Sequence, residues 1–137
     1  MTDRHMNKVA EETGRHETRE DFTSLDKTWL DKSCGDGKLL ERIVMRRAKA
    51  QPELTDEAIL RIYMTTFGTD ICDDNTRECR RRLFGLAVHE LGYLGCPVVL
   101  SNILEHNIVC TDMFDWDYEN WRPVAKPVEN INPSDHA

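Results

Sequence analysis

The chain has no apolar run near the roughly 18 residues that a membrane-spanning helix needs, so no transmembrane segment is expected. No hydrophobic stretch follows the charges at its start, so no secretory signal is visible. It has no Cys-x-x-Cys pair. Its five cysteines, Cys34, Cys72, Cys79, Cys96 and Cys110, are odd in number and irregular in spacing. That argues against a disulfide framework and a structural zinc site, and suits a reduced, cytoplasmic setting. His89-Glu90 does not complete a His-Glu-x-x-His, and His106 stands near Cys110 without further ligands, so no metal centre is expected. Positive charge is not in excess either. A net charge of −7 gives no electrostatic support for tight binding to DNA by this chain alone.

What is present suits one folded domain: 137 residues, of which 39% are apolar, can bury a core without staples. Residues 1–24 are polar and without periodicity, and read as a flexible tail or a poorly anchored helix. Residues 25–118 carry the patterned sequence, and 119–137, with three prolines, read as an irregular tail. Basic residues gather as Arg42, Arg46, Arg47 and Lys49, and again as Arg77, Arg80, Arg81 and Arg82; both groups read as solvated helix faces.

Along the patterned part, Thr28-Trp29-Leu30-Asp31 reads as the end of a buried strand before a glycine turn. Leu39, Leu40, Ile43 and Val44 then recur at helical spacing, fading near Ala50 before Pro52. Thr55 reads as the N-cap of a second helix, with Asp56 and Glu57 in its first turn and Ala58, Ile59, Ile62 and Tyr63 on its apolar face. Thr66 to Ile71 reads as a short buried strand. Asp73 or Asp74 can cap the helix that carries Cys79, Leu83, Leu86 and Ala87. Gly92, Gly95 and Pro97 interrupt the pattern, and a short helix or turn is expected over 98–105. Asn107-Ile108-Val109-Cys110 reads as a last strand, with Cys110 as a buried small hydrophobe. Beyond it Phe114, Trp116, Tyr118 and Trp121 form an aromatic stripe, suited either to packing on the sheet or to an interface. The rhythm of strands and helices is that of an open α/β sheet.

Three segments can carry chemistry. Asp31-Lys32-Ser33-Cys34-Gly35-Asp36-Gly37 places glycines where a strand turns into a helix, which permits tight backbone geometry and close approach of a ligand. It lacks the third glycine of a dinucleotide fingerprint and the Lys-Ser/Thr of a phosphate loop, and its carboxylates favour a cationic ligand over a pyrophosphate. Cys34, between Lys32 and Lys38, is a candidate reactive thiol. Asp70, ending the second strand, can accept both hydroxyl protons of a ribose. It follows Gly35 by 35 residues, a spacing stretched by the helix at 55–65. Asp112, after the third strand, can accept from an adenine amino group, with Ile71 or Met113 against the ring; the same residue also suits an ordinary turn.

Taken together and in this order, the segments resemble the N6-adenine DNA methyltransferases of restriction–modification systems. Asp31-x-x-x-Gly35-x-Gly37 is similar to the family's cofactor motif, with Lys32 where proline is common. Gly68-Thr69-Asp70-Ile71-x-x-Asp74-Asn75 is similar to the motif whose acidic residue holds the ribose. Asn107 to Asp112 is similar to the segment whose aspartate meets adenine, with Thr111 replacing glycine. The likeness spans roughly residues 28–118. It implies an α/β fold, a partial Rossmann-like methyltransferase sheet of about three parallel strands with flanking helices. It also implies an S-adenosylmethionine site built from Asp31, Cys34, Gly35, Gly37, Asp70, Ile71 and Asp112.

The family's catalytic Asp/Asn-Pro-Pro-Tyr/Phe is missing; Asn132-Pro133-Ser134-Asp135 only echoes it. Of the Phe-Thr-Pro loop that closes over the methionine part, Asp21-Phe22-Thr23-Ser24 keeps Phe-Thr. No catalytic residue is therefore assigned. The expectation is a non-catalytic, methyltransferase-like protein of phage or mobile-element type, which retains a degenerate cofactor pocket, binds a protein partner, or both. The alternative is a fragment or subunit of a DNA adenine methyltransferase that needs another chain for catalysis. An unfinished sheet edge makes a homo-oligomer or a protein partner the expected association. DNA is expected to bind only weakly or through such a partner, and no membrane association is expected.

Overall fold

The computed structural model describes residues 19–125. The echo at 132–135 lies outside the described residues. Mixed α/β architecture is observed: a three-stranded parallel sheet with helices packed against it, and a small antiparallel hairpin. A short helix α1 (Arg19–Thr23) leads into β1 (Trp29–Asp31). Helices α2 (Lys38–Lys49) and α3 (Asp56–Met64) then connect to β2 (Thr66–Asp70). A further helix α4 (Asp73–Gly85) runs on into one π-helical turn (Leu86–Glu90). Helix α5 (Pro97–Asn107) feeds β3 (Ile108–Cys110), and β4 (Trp116–Asp117) pairs with β5 (Arg122–Pro123).

The sheet order is β1-β2-β3, with Trp29 beside Thr66 and Gly68 beside Ile108. Two right-handed crossovers stepping in the same direction place their helices on one face of a sheet. Gly68 lies on that face: a Cβ there would stand 2.9 Å from Cδ1 of Leu40 on α2. Phe67 and Thr69 point the other way, where the hairpin covers them. The Trp121 ring meets Phe67 edge-on at 4.7 Å, and the Tyr118 hydroxyl is 2.9 Å from Oγ1 of Thr69. Trp121 also donates from Nε1 to the carbonyl of His106 at 2.7 Å. Three of the four stripe aromatics thus touch one another or the sheet, whereas Phe114 is 82% exposed.

Local chemistry explains the helices. Leu40, Ile43, Val44, Arg47 and Ala48 form the inward stripe of α2, and Gly37 takes a left-handed conformation at its N-cap. Thr55 caps α3 as its sequence suggests, accepting from the Ala58 N–H at 3.1 Å. Asp73 and Asp74 do not cap α4. The N-cap is Cys72, and the two aspartates occupy the first turn, where they suit the helix dipole and Asp73 pairs with Arg77. Helix α5 is longer than the short element expected over 98–105, because Pro97 serves as its first residue. Its last residue, Asn107, is buried, with Nδ2 within 3.0–3.2 Å of the carbonyls of Tyr63, Met64 and Thr66. This amide fastens the end of α3 to the start of β3.

Other expectations are corrected. The end of the stretch read as a tail or poorly anchored helix is a short helix, Arg19–Thr23, held by Phe22, which is buried and stacks on Trp29 at 4.8 Å. Cys110 is exposed, because it ends a three-residue edge strand instead of occupying a central one. Arg47 is not a solvated helix residue but is fully buried. In the second basic group Arg77 and Arg81 are solvated as expected, each paired along α4 with Asp73 or Glu78, whereas Arg82 is partly buried against Asp36 and Glu41. Arg80 is spent on the backbone, with Nε 3.0 Å from the carbonyl of Ile108. No helix among the described residues is long and apolar enough to cross a membrane.

Tyr63, on α3, is almost fully buried and donates its hydroxyl to the carbonyl of Leu83 at 2.6 Å. Burial, with Glu41 contributing, pushes the phenol above its ordinary value of 10.0. The unfolded chain therefore releases this proton first, and the stability due to the phenol is present below pH 10 and falls above it. The advantage of the native protein over Tyr63→Phe should be about 1 kcal/mol at pH 7. Above pH 10 it should shrink by about 1.4 kcal/mol per pH unit. Urea titrations of both proteins from pH 8 to 11 measure this; a constant difference would contradict it.

Candidate functional site

In an open parallel sheet, the loops after the carboxyl ends of the strands share one edge, where ligands bind. All seven candidate residues fall on this edge. Asp31 ends β1, Cys34, Gly35 and Gly37 form the turn into α2, Asp70 ends β2 and Ile71 follows it. Asp112 lies just beyond β3.

The first two segments are joined directly. The Cys34 N–H donates to the carbonyl of Thr69 at 2.9 Å, extending the pairing of β1 with β2 into the loop. The Gly35 N–H donates to Oδ1 of Asp70 at 3.3 Å. Oδ2 of Asp70 accepts from the Cys72 N–H at 3.0 Å and from Nδ2 of Asn75 at 3.3 Å. Asp112 joins through its neighbour, since the Thr111 N–H donates to the Asp70 carbonyl at 2.9 Å. Its own Oδ1 accepts from the Phe114 N–H at 2.9 Å, the geometry of a turn-forming aspartate. Asp31 likewise accepts from the Ser33 N–H at 3.0 Å.

The two loop glycines have different work. Gly35 has φ +54°, and a Cβ built on it would find no atom within 4 Å, so its Cα faces open space. Gly37 has φ +93°, and a Cβ there would lie 2.7 Å from Sγ of Cys79 and 3.0 Å from its Cα. The first glycine leaves room at the edge, while the second lets the loop press onto α4.

Cys34 is buried and faces Cys79, not solvent. The contact with the Cys79 thiol, burial, and the nearby Asp31 and Asp70 carboxylates all push its thiol far up, which removes the thiolate a reactive cysteine needs. The reactive-thiol reading is therefore corrected: Cys34 is packing beneath the loop. Among the described residues, no three His, Cys, Asp or Glu side chains are grouped to hold a metal ion.

Ile71 is 71% exposed and Met113 39%, leaving apolar side chains beside Asp70 and Asp112. Among the described residues, three of the cavities open elsewhere. One of about 270 Å³ lies between α4 and α5, lined by Arg80, Phe84 and Leu104 among others. One of about 350 Å³ lies between β3 and the hairpin, and one of about 240 Å³ lies between β1, β2 and the hairpin. None of the three is lined by Asp31, Gly35, Asp70 or Asp112.

Two residues near the edge carry more than their sequence positions suggest. Thr69 is fully buried and its hydroxyl sits 3.0 Å from the carbonyl of Lys32 as well as against Tyr118. Lys32 in turn places its ammonium 4.6 Å from the centre of the Tyr118 ring. The alternation Trp116, Tyr118 was the available signal for the hairpin; its contact with Thr69 had none. No protein-family model matches the chain, and neither does any curated protein or solved structure.

Proposed function

We propose that the chain is a methyltransferase-like protein without catalytic machinery of its own, with a partial Rossmann-like sheet whose carboxyl edge binds S-adenosylmethionine weakly and whose unfinished side binds protein. The observation that carries this reading is the hydrogen bond from Gly35 to Asp70. It brings the glycine turn and the acidic residue together where a nucleoside would place its ribose. A carboxylate has about four lone-pair sites. Three donors reach Asp70, two of them at 3.3 Å, so capacity for a ribose hydroxyl remains. Open space over Gly35 gives the ligand room, and the exposed Ile71 and Met113 offer apolar surface to an adenine ring. Asp31, Asp36, Asp70 and Asp112 suit a ligand that carries sulfonium and ammonium charge. The internal engagement of Asp70 is what makes the pocket degenerate.

Calorimetric titration with S-adenosylmethionine and S-adenosylhomocysteine tests this. Saturable binding is expected, with the sulfonium form tighter. Asp70→Ala should weaken it at least about tenfold, the loss of one charge-assisted hydrogen bond. Absence of binding by folded protein would remove the cofactor site. The second reading, a DNA adenine methyltransferase fragment or subunit completed by another chain, is favoured by β1 having, among the described residues, a neighbour on one side only. Methyl transfer to adenine on addition of a co-purifying chain would establish it.

A further inference from the structure

On the sheet face opposite the helices, the cavity of about 240 Å³ is lined by Thr28, Leu30, Phe67, Tyr118, Glu119 and Trp121. Three of these side chains are aromatic, with Trp121 in the middle. Phe67 is inclined to it by 65° with ring centres 4.7 Å apart, and Tyr118 by 62° at 6.0 Å. Rings so inclined stand as walls of a space and not as a flat stack. Two of them are held by their polar ends, Tyr118 on Oγ1 of Thr69 and Trp121 on the carbonyl of His106, which leaves their ring surfaces for other contacts. Trp121 has φ +50°, a left-handed backbone that opposes a bulky side chain and suits glycine or asparagine at the end of a hairpin turn. A large ring is thus kept at this cavity against the preference of its own backbone.

We propose that this cavity is an aromatic cage for a quaternary ammonium group carried on a small molecule, of which choline is the simplest type. The faces of aromatic rings carry negative charge density and attract a cation directly. Glu119, an exposed member of the lining, adds a full negative charge, and no lysine or arginine lines the cavity. Tyr118 already holds a cation in this way, since the ammonium of Lys32, which is outside the lining, lies 4.6 Å from its ring centre. A methylated ammonium suits the walls better than a bare one. Leu30, Phe67 and Trp121 offer no side-chain acceptor to replace the water that an N–H group gives up, whereas methyl groups ask for none and gain dispersion contacts. The volume is below the roughly 300–1,000 Å³ of sites that enclose drug-sized ligands, which suits a small head group and not a whole nucleoside. Thr28 and Leu30 are exposed, so the rest of the ligand stays in solvent. The cavity shares no residue with the candidate cofactor edge, and this inference does not rest on the reading of that edge.

Titration of the full chain with choline, followed at the indole N–H resonance of Trp121, is the test. A saturable shift is expected. Dimethylbutanol, the neutral isostere of choline with carbon in place of nitrogen, should bind at least about tenfold more weakly. Glu119→Gln, at an exposed position, should weaken choline about threefold and leave the alcohol and the circular dichroism unchanged. Fluorinated tryptophans, which draw negative charge from the ring face, should weaken choline in step with the number of fluorines; of the three tryptophans, only Trp121 lines the cavity. No shift in folded protein would overturn the proposal. So would equal binding of the alcohol, or indifference to fluorination. A peptide carrying trimethyllysine presents the same head group on a chain, and tighter binding of the peptide than of choline would overturn the assignment to a small molecule. No S-adenosylmethionine is present in these titrations, so failure of the cage and failure of the cofactor site are separate results.

Discussion

Arg47→Met should destabilise the protein by about 3 kcal/mol, although it replaces a buried cation with an apolar side chain of similar length. Arg47 is fully buried, and none of its hydrogen-bond acceptors is a carboxylate. Nη1 donates to the Ile62 carbonyl and to Oγ1 of Thr66, both at 3.0 Å. Nη2 donates to the carbonyls of Ser24 and Lys27 at 3.2 and 3.4 Å and to Oγ1 of Thr65 at 2.8 Å. Burial pulls its pKa down to about 10, so the side chain is still charged at neutral pH. Replacing both members of a buried ion pair with hydrophobic residues is often harmless. Here three of the five partners are backbone carbonyls that no substitution at residue 47 removes, so methionine takes the guanidinium from the Ser24 and Lys27 carbonyls and from both threonine hydroxyls, while the Ile62 carbonyl keeps Thr66 Oγ1. Arg47→Lys should recover less than half of the loss, since an ammonium on a single point cannot reach both sides of the fork. A fall of about 1–2 M in the urea midpoint is the expected reading. A loss below 1 kcal/mol would show that water or a backbone shift replaces the guanidinium.

Gly37→Ala should cost the fold about 3 kcal/mol or more, and Gly35→Ala only about 1 kcal/mol. Both residues have positive φ, so both substitutions meet the ordinary left-handed penalty. They differ in space. The methyl group at 37 would lie 3.0 Å from the Cα of Cys79, a backbone atom that moves only with α4, whereas at 35 it would enter open solvent. The order reverses for ligand. Gly35→Ala puts a methyl group where the ligand is proposed to lie, so it should weaken S-adenosylmethionine binding more than its effect on stability would suggest. Chemical denaturation and calorimetry on the same two variants give both orders. Equal stability losses would contradict the close approach of the loop to α4.

The helices were legible because Leu40, Ile43 and Val44 in α2, and Ala58, Ile59, Ile62 and Tyr63 in α3, repeat at the spacing that one buried face requires. Thr55 was legible as a cap because that interaction spans three residues. The strands were legible as apolar segments between glycine and aspartate turns. Arg47 was not, because its acceptors come from residues 24–27, the end of α3 and the start of β2, and no local window contains them. Cys110 misled because Ile108-Val109-Cys110 reads the same in a central strand as in an edge strand, and only the neighbours decide exposure. Asp70 and the glycine turn were identifiable as chemistry-bearing types, whereas the bond between Asp70 and Gly35 depends on β1 and β2 being neighbours. The two glycines looked equivalent, and their division between open space and α4 follows from where Cys79 sits. The π-helical turn, closed by the Leu91 N–H on the Leu86 carbonyl, left no trace in the apolar spacing.

The hairpin that covers Phe67 and Thr69 is the last described element along the chain, and this fixes an order of events during synthesis. When β1, β2 and the helices between them have left the ribosome, one face of the young sheet has its helices, while the other still shows Leu30 and Phe67 to solvent. Among the described residues, those that cover Phe67 and Thr69 are Tyr118 and Trp121, which emerge some 50 residues after Phe67. At the usual ~5–20 residues per second, that is an interval of seconds, long compared with hydrophobic collapse. During it the nascent chain presents an apolar face beside an unpaired strand, the kind of surface that holding chaperones recognise, and the closing hairpin ends that exposure.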